Sequence, residues 1–377
     1  MLPRCSLFAL DLVLPKSHPA LFAAVVVIGV FTATFAYTCC MVPLLYPGDV
    51  DQARQDAVIF HDGTIEDLVL GVSPVFPEGE RGPEKLLWIV TIPSPPVDAT
   101  AGIEYAVIDR AIFADAQRVA RRLVREQQRP DHSVKSEENA AGSTLAGSLI
   151  VEDPVQVGPY EITAVRGTTN AAASAAALNQ FLDQRGYPTE PLEEVTWFTE
   201  RNFTFLCIEI TPPDGATHFS TKTKTPALRV SFPCDRVYYP AKYSARQGDF
   251  ALGLTVFSAG PLEEKDLQAT RTKLDSTSTY GNLDTADDLP GKLGELVSQV
   301  PRLSGVSVWY VTPIISYGFN AAIDGDVGAI SQWEEDVFLE IGPVVSGSKV
   351  VGLFATIVIG SALGGYLGLR MRRRAGK

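Results

Sequence analysis

Few residues of this 377-residue chain have the type and spacing to do chemistry. Cys207 and Cys234 lie well inside the chain, and an oxidising compartment would let them form a disulfide. Asp324-Gly325-Asp326 with Glu335 approaches a calcium loop. However, Ala329 stands where the tight turn needs glycine and Gly328 where a ligand belongs, so the EF-hand pattern fails. Arg118, Arg121, Arg122 and Arg125 recur on one side of an expected helix and would form a basic face suited to a carboxylate or a phosphate. Cations near a helix C-terminus also complement the helix dipole, and that is the reading preferred for them. The histidines, His18, His61, His132 and His218, are far apart and read as isolated loop residues. No nucleophile elbow, zinc-protease helix, phosphate loop or C-x-x-C pair is present. The sequence therefore offers no catalytic residue, no metal site and no cofactor.

The elements that would position these residues are more legible. Ala57-Val58-Ile59-Phe60 and Leu68-Val69-Leu70-Gly71-Val72 flank Asp62-Gly63, a hairpin signal. Residues 86–92 read as a strand that Pro93-Ser94-Pro95-Pro96 must end. Ile103, Val107, Ile108, Ala111 and Ile112 repeat at helical spacing, so a helix is expected over residues 103–128. Residues 130–148, rich in Ser, Glu, Asn, Ala and Gly, read as a flexible loop that interrupts one domain or separates two lobes. Strands are expected at 155–157 and 160–165. An alanine-rich helix over 170–185 should stop at Gly186. In the strand beginning at Phe203, one face carries Phe203, Phe205 and Cys207, and the other carries Leu206, Ile208 and Ile210. Apolar residues on both faces mark a central strand, with burial incomplete at Thr204 and Glu209. Residues 227–232 and 250–257 should continue that sheet, followed by a helix near 288–300 and a strand at 306–315. Interspersed helices among more numerous strands give an α+β expectation with a mixed or antiparallel sheet.

The two ends speak to location. Residues 350–369 form an uncharged apolar run long enough to cross a bilayer, and five Lys/Arg follow it in residues 370–377. Such a basic flank belongs on the cytoplasmic side. Gly352, Thr356, Gly360, Gly364 and Gly368 recur every four residues on one helix face, where small residues let membrane helices approach, so a second membrane helix is an expected partner. Residues 1–45 hold a leader whose apolar part, 19–42, follows Arg4 and Lys16. Its length favours a signal anchor, whereas Thr34-Phe35-Ala36 loosely fits a signal-peptide cleavage site. Both readings place residues 46–345 outside the cytoplasm. Only Asp11 of the 44 acids lies in the two ends, against seven of the 32 Lys/Arg, so the middle carries 43 acids and 25 basic residues. That surface repels nucleic acid, and no nucleic-acid partner is expected.

Several segments in order carry a resemblance. Cys39-Cys40, then Asp51-Gln52 and Ala57-Val58-Ile59-Phe60-His61-Asp62-Gly63, resemble the start of the bacterial family called domain of unknown function 2330. Trp88-Ile89-Val90-Thr91-Ile92-Pro93-Ser94-Pro95-Pro96 is similar to its tryptophan-led strand and proline turn, although Thr91 stands where the family often has proline. The residues after Cys40 also lack the proline- or glycine-rich run of the family. Leu178-Asn179-Gln180-Phe181-Leu182-Asp183-Gln184-Arg185-Gly186-Tyr187 resembles a family helix, and Leu228-Arg229-Val230-Ser231-Phe232-Pro233 with Tyr239-Pro240 resembles a later strand and turn. The resemblance covers roughly residues 39–257. It implies a leader, an extracytoplasmic domain and often a terminal membrane helix, and it assigns no catalytic residue. The expectation is a bacterial, membrane-anchored protein whose extracytoplasmic domain binds or builds in the cell envelope. An extracytoplasmic hydrolase and a subunit of a membrane complex are the alternatives.

Overall fold

The computed structural model describes residues 40–46, 51–76, 79, 81–94, 102–127, 152–166, 171–213, 215–220, 223–245, 251–268, 277–278, 281–283, 288–315 and 336–341. The elements in order are β1 (Cys40–Met41), β2 (Asp51–His61), β3 (Ile65–Val75), β4 (Leu86–Pro93), β5 (Glu104–Ile108), α1 (Ala111–Gln127), β6 (Val155–Val157), β7 (Tyr160–Arg166), α2 (Ala171–Gln184), α3 (Leu192–Glu200) and β8 (Phe203–Ile210). Then come β9 (Ala227–Pro233), β10 (Val237–Tyr239), α4 (Ala241–Ala245), β11 (Ala251–Ser258), β12 (Thr277–Ser278), β13 (Gly281–Leu283), α5 (Gly291–Gln299), α6 (Pro301–Ser304), β14 (Trp309–Ile315) and β15 (Val337–Leu339). Residues 1–39 of the leader, residues 130–148, the near-calcium loop around Asp324 and the terminal run with Gly352, Gly360, Gly364 and Gly368 lie outside the described residues, whereas Cys40–Met41, at the end of the expected leader, form strand β1 on β4 of the domain. No described helix is long and apolar enough to cross a membrane.

The α+β expectation holds, with a mixed sheet and an antiparallel one. Among the described residues, one sheet runs β1-β4-β8-β7-β6, all antiparallel. The larger sheet runs β12-β14-β11-β2-β3-β9-β5, with β13 also on β14, and β11 lies parallel to β2. A short ladder joins β10 to β15. The expectation that residues 227–232 and 250–257 would extend the sheet of residue 203 is corrected: β9 and β11 belong to the larger sheet. Apolar periodicity identifies strands but not which partner each one takes, because every long strand here is apolar on at least one face.

Alternation explains the layers. In the larger sheet Ala57, Ile59, Leu68, Leu70, Leu228, Val230, Leu254 and Val256 point into a core shared with Trp88, Val90, Leu206 and Ile208 of the smaller sheet. The alternate residues Val58, Phe60, Val69, Phe257 and Val311 face a second core, closed by Ile112, Phe113, Ala116 and Val119 of α1 and by Leu293, Leu296 and Val297 of α5. The far face of the smaller sheet is covered by α2 and α3. Phe198 of α3 meets Phe203 and Phe205 of β8 at ring-centroid distances of 5.4 and 5.9 Å. The order of layers is therefore helices, sheet, sheet, helices. Strand β8 is central and apolar on both faces as expected, although Thr204 is fully buried, its hydroxyl paired with that of Ser94 at 2.8 Å.

The helix expected over 103–128 is corrected at its start. Residues 104–108 form β5, paired antiparallel to β9, and the helix begins only after Asp109-Arg110. Asp109 Oδ1 accepts the amide of Ala111 at 2.9 Å, a capping bond that separates strand from helix. A close approach on the helical side of the larger sheet explains Gly71: a β-carbon there would collide with the Phe113 ring of α1. Gly71→Ala is expected to cost about 1–3 kcal/mol by overpacking, read as a lower urea midpoint at unchanged slope.

The expected Cys207–Cys234 bridge is not formed; both are free thiols. Cys207 lies on the β8 face turned to the helices, whereas Cys234 follows β9 in the other sheet. Burial pushes both thiols up to about 12, with Glu66 adding to the effect at Cys234, so neither is a thiolate nucleophile at neutral pH.

Candidate functional site

Strand register gives the double sheet two distinct ends. Leu86, Ile210 and Tyr160 mark one end of the smaller sheet, and Pro93 and Phe203 the other. Tyr160 donates its hydroxyl to Pro226 O at 2.5 Å, tying the first end to the start of β9. Tyr238 hydrogen-bonds Thr91 of β4 and, through its amide, Glu66 of β3, tying the second end to the β2–β3 turn.

A cleft of about 700 Å³ opens at the first end. Four chain segments meet there: Asp109-Arg110 before α1, Gly158-Pro159 between β6 and β7, Thr211-Pro212-Pro213 after β8, and Lys224-Thr225-Pro226 before β9. Each is a place where a strand stops, and proline cannot continue a ladder. Gly158 adopts φ +58° and packs so closely on Val107 that a β-carbon would lie 2.8 Å from its methyl group, which brings the β6–β7 turn against β5. Pro159 O accepts both the amide and the hydroxyl of Thr211, at 3.0 and 3.2 Å. The floor is Arg110. Its guanidinium donates to Val72 O at 2.9 Å, Thr225 O at 3.3 Å and Ser73 Oγ at 2.5 Å, with Asp56 at 3.9 Å. Arg110 thus works as a strut between β3 and the β9 approach. Among the described residues Lys224 is exposed at the mouth and makes no ion pair, and Asp109 is the one carboxylate lining the cleft. Four prolines and a braced arginine make this a rigid seat with a movable cation, suited to holding a ligand.

The carboxyl groups with raised proton affinity lie at the other end, inside the fold. Glu66 is fully buried, and burial holds it well above the usual range even though Oε2 accepts the Tyr238 amide at 2.7 Å; the Asp67 charge adds to the rise. Its Oε1 has no hydrogen-bond partner among the described residues. Burial likewise raises Asp336 to about 7, against donation from the Lys242 amide at 2.9 Å and the Tyr238 hydroxyl at 3.1 Å. His61 is corrected from a loop residue to a buried one: as the last member of the Ala57–Ile59 face it turns inward. Its Nε2 donates to Cys234 O at 3.0 Å while Nδ1 accepts the Gly63 amide at 3.0 Å, and burial lowers its proton affinity. Both ring nitrogens are therefore used by backbone groups.

No family model, no curated protein and no solved structure matches this chain. The resemblance to domain of unknown function 2330 thus rests on its motifs alone, and the site is read from geometry.

Among the described side chains the basic residues singled out from sequence do not form a site; the Arg125 side chain lies outside them. Arg118 pairs with Asp115, whereas Arg121 and Arg122 are exposed on the outer face of α1. His218 packs with Arg81 Nη2 at 2.8 Å and Glu84 at 3.5 Å on the surface. Sequence reasoning missed Asp109, Arg110, Thr211 and Lys224; Thr211 and Lys224 border strand ends marked by proline, whereas the end of β5 at Asp109-Arg110 carries no such mark. It also missed Glu66 and Asp67, a charged pair set inside an apolar strand, which strand alternation turns to opposite faces of the sheet.

Proposed function

We propose that this chain is a membrane-anchored, extracytoplasmic binding domain of the bacterial envelope, related to domain of unknown function 2330, and that the cleft at Arg110 and Lys224 is its ligand seat. The observation that carries the reading is the separation of roles between the two ends. The cleft has rigid walls, a braced arginine and an exposed lysine, while the carboxyls with raised proton affinity are enclosed at the opposite end and hydrogen-bonded within the fold. Hydrolysis by a carboxylate pair needs two such groups facing one cavity. Among the described residues the cleft presents only Asp109. The ligand class that fits is a carboxylate with an apolar portion: the apolar part lies on the proline walls and the charge meets Lys224.

The test is a thermal-shift titration of the purified protein with citrate, benzoate and an acidic pentapeptide. At least one of them should raise Tm, and Lys224→Glu should weaken that ligand about tenfold or more while leaving the ligand-free Tm unchanged, since Lys224 is exposed. Equal titrations for the two proteins, or no shift at millimolar concentration, would sink the reading.

A further inference from the structure

The proposal that follows rests on the membrane-anchored reading above and concerns which way the cleft faces. The chain's route through the fold bears on this. β1 lies antiparallel to β4, with Cys40 opposite Trp88 and Met41 opposite Leu87. The chain therefore travels through β1 toward the cleft end. At the other terminus, β15 continues to Ile341, which bridges Leu262, while Glu340 O accepts the Glu263 amide at 2.9 Å. Leu262 lies just beyond β11, whose last residue Ser258 pairs with His61 beside the β2–β3 turn. Ile341 is thus fixed at the end away from the cleft.

Only residues 342–349 separate Ile341 from the apolar run of 350–369. Nine chain steps reach about 30 Å when fully extended, and roughly 16 Å on average for a flexible segment. Strand β4 alone, with 8 residues, sets the two ends of the smaller sheet about 25 Å apart. The end bearing Ile341 is also rich in acids, with Asp62, Asp235, Glu263, Glu264, Asp266 and Glu340 against Arg236, Lys265 and Arg302. Anionic head groups repel such a surface, so the tether, and not adsorption, sets its distance.

We propose that the β2–β3 turn end faces the membrane, that the cleft faces away from it, and that the cleft takes a water-soluble carboxylate in preference to a lipid head group. The consequence is a ligand that arrives from the aqueous side.

The experiment uses the full chain in phosphatidylcholine–phosphatidylglycerol vesicles carrying a head-group quencher. A fluorescent amino acid replaces either Asp235, exposed at the turn end, or Gln156, exposed on β6 at the cleft end. Flotation is measured first. Quenching at Asp235 should exceed that at Gln156 at least threefold, and citrate or the acidic pentapeptide should bind with the same midpoint with and without vesicles. Equal or reversed quenching in protein that floats would overturn the orientation while leaving the anchoring intact. Competition by vesicles would overturn the aqueous source. Protein that does not float would remove the anchoring reading itself, and the orientation with it.

Discussion

Asp67→Ala is expected to destabilise the protein by about 3–5 kcal/mol, the range for removing one partner of a buried ion pair. Asp67 is fully buried on the helical side of β3. Its Oδ1 accepts Arg229 Nε at 2.7 Å, and its Oδ2 meets Arg302 Nη2. Arg302 also donates to Ser231 Oγ at 2.9 Å and pairs with Asp62 at 3.2 Å. One carboxylate is therefore shared by two guanidinium groups and fastens α6 to β3 and β9. Alanine leaves Arg229 enclosed without its main counter-charge; its other acid, Glu104, is solvent-exposed and 3.7 Å away. Urea unfolding measures the loss. The double variant Asp67→Ala/Arg302→Leu should recover part of it, because the second change removes one of the two charges that the first strands. Simple additivity of the two changes would reject the shared network.

Asp336→Asn is expected to raise stability at pH 8 by up to roughly 4 kcal/mol and to leave it nearly unchanged at pH 4, since each tenfold change in proton affinity on folding is worth about 1.36 kcal/mol. The sign follows from the raised value. In the folded protein Asp336 holds its proton up to about 7, whereas the unfolded chain loses it near 3.8. Between those values the folded state binds more protons, so its stabilising contribution is complete below about pH 4 and is lost as pH rises through about 7. Asparagine stays neutral throughout. Its oxygen can accept the Lys242 amide, and its NH2 group can donate to the Tyr238 hydroxyl. Glu66 acts in the same direction. His61, with its lowered value, acts in the opposite direction, its contribution being lost as pH falls below about 6.5. Asp62 also opposes the trend at acid pH. Burial raises its proton affinity, but hydrogen bonds from Ile65 and Thr64 and the charge of Arg302 outweigh that and hold it below the usual carboxylate range. The measurement is therefore the difference between variant and parent across pH 4–8. A flat difference would show that Asp336 is ionised in the folded protein at all these pH values.

The strands were the legible part of this fold, and the reason is visible residue by residue. Ala57, Ile59, Leu68 and Leu70 alternate with Val58, Phe60 and Val69, and both sets are buried because each sheet is covered on both faces. β5 misled because Ile103, Val107, Ile108, Ala111 and Ile112 satisfy a helical period across a junction that only the Asp109 cap reveals. α3 passed unnoticed: its nine residues are short, and its start is marked only by Pro191 ahead of Glu193 and Glu194. The cleft was illegible because its four segments are brought together by strand pairing, and nothing in a local window says that β7, β8 and β9 meet at one end. The buried acids were open to inference. His61 and Glu66 stand opposite each other across the hairpin on the face already assigned to the core.

The β10–β15 ladder bears on how the protein is made. Tyr239 pairs with Val337, and Leu339, fully buried, pairs with Val237. The two halves of this ladder are separated by roughly 100 residues, which a ribosome adds in about 5–20 s. Until then Tyr238 lacks Asp336, and the edge of β10 has no partner. The last piece of the core is also the last piece synthesised before the apolar run at 350–369. The ladder can therefore close only as the apolar run at 350–369 is being made, and a chain cut short before residue 336 would be left with an open, aggregation-prone strand edge.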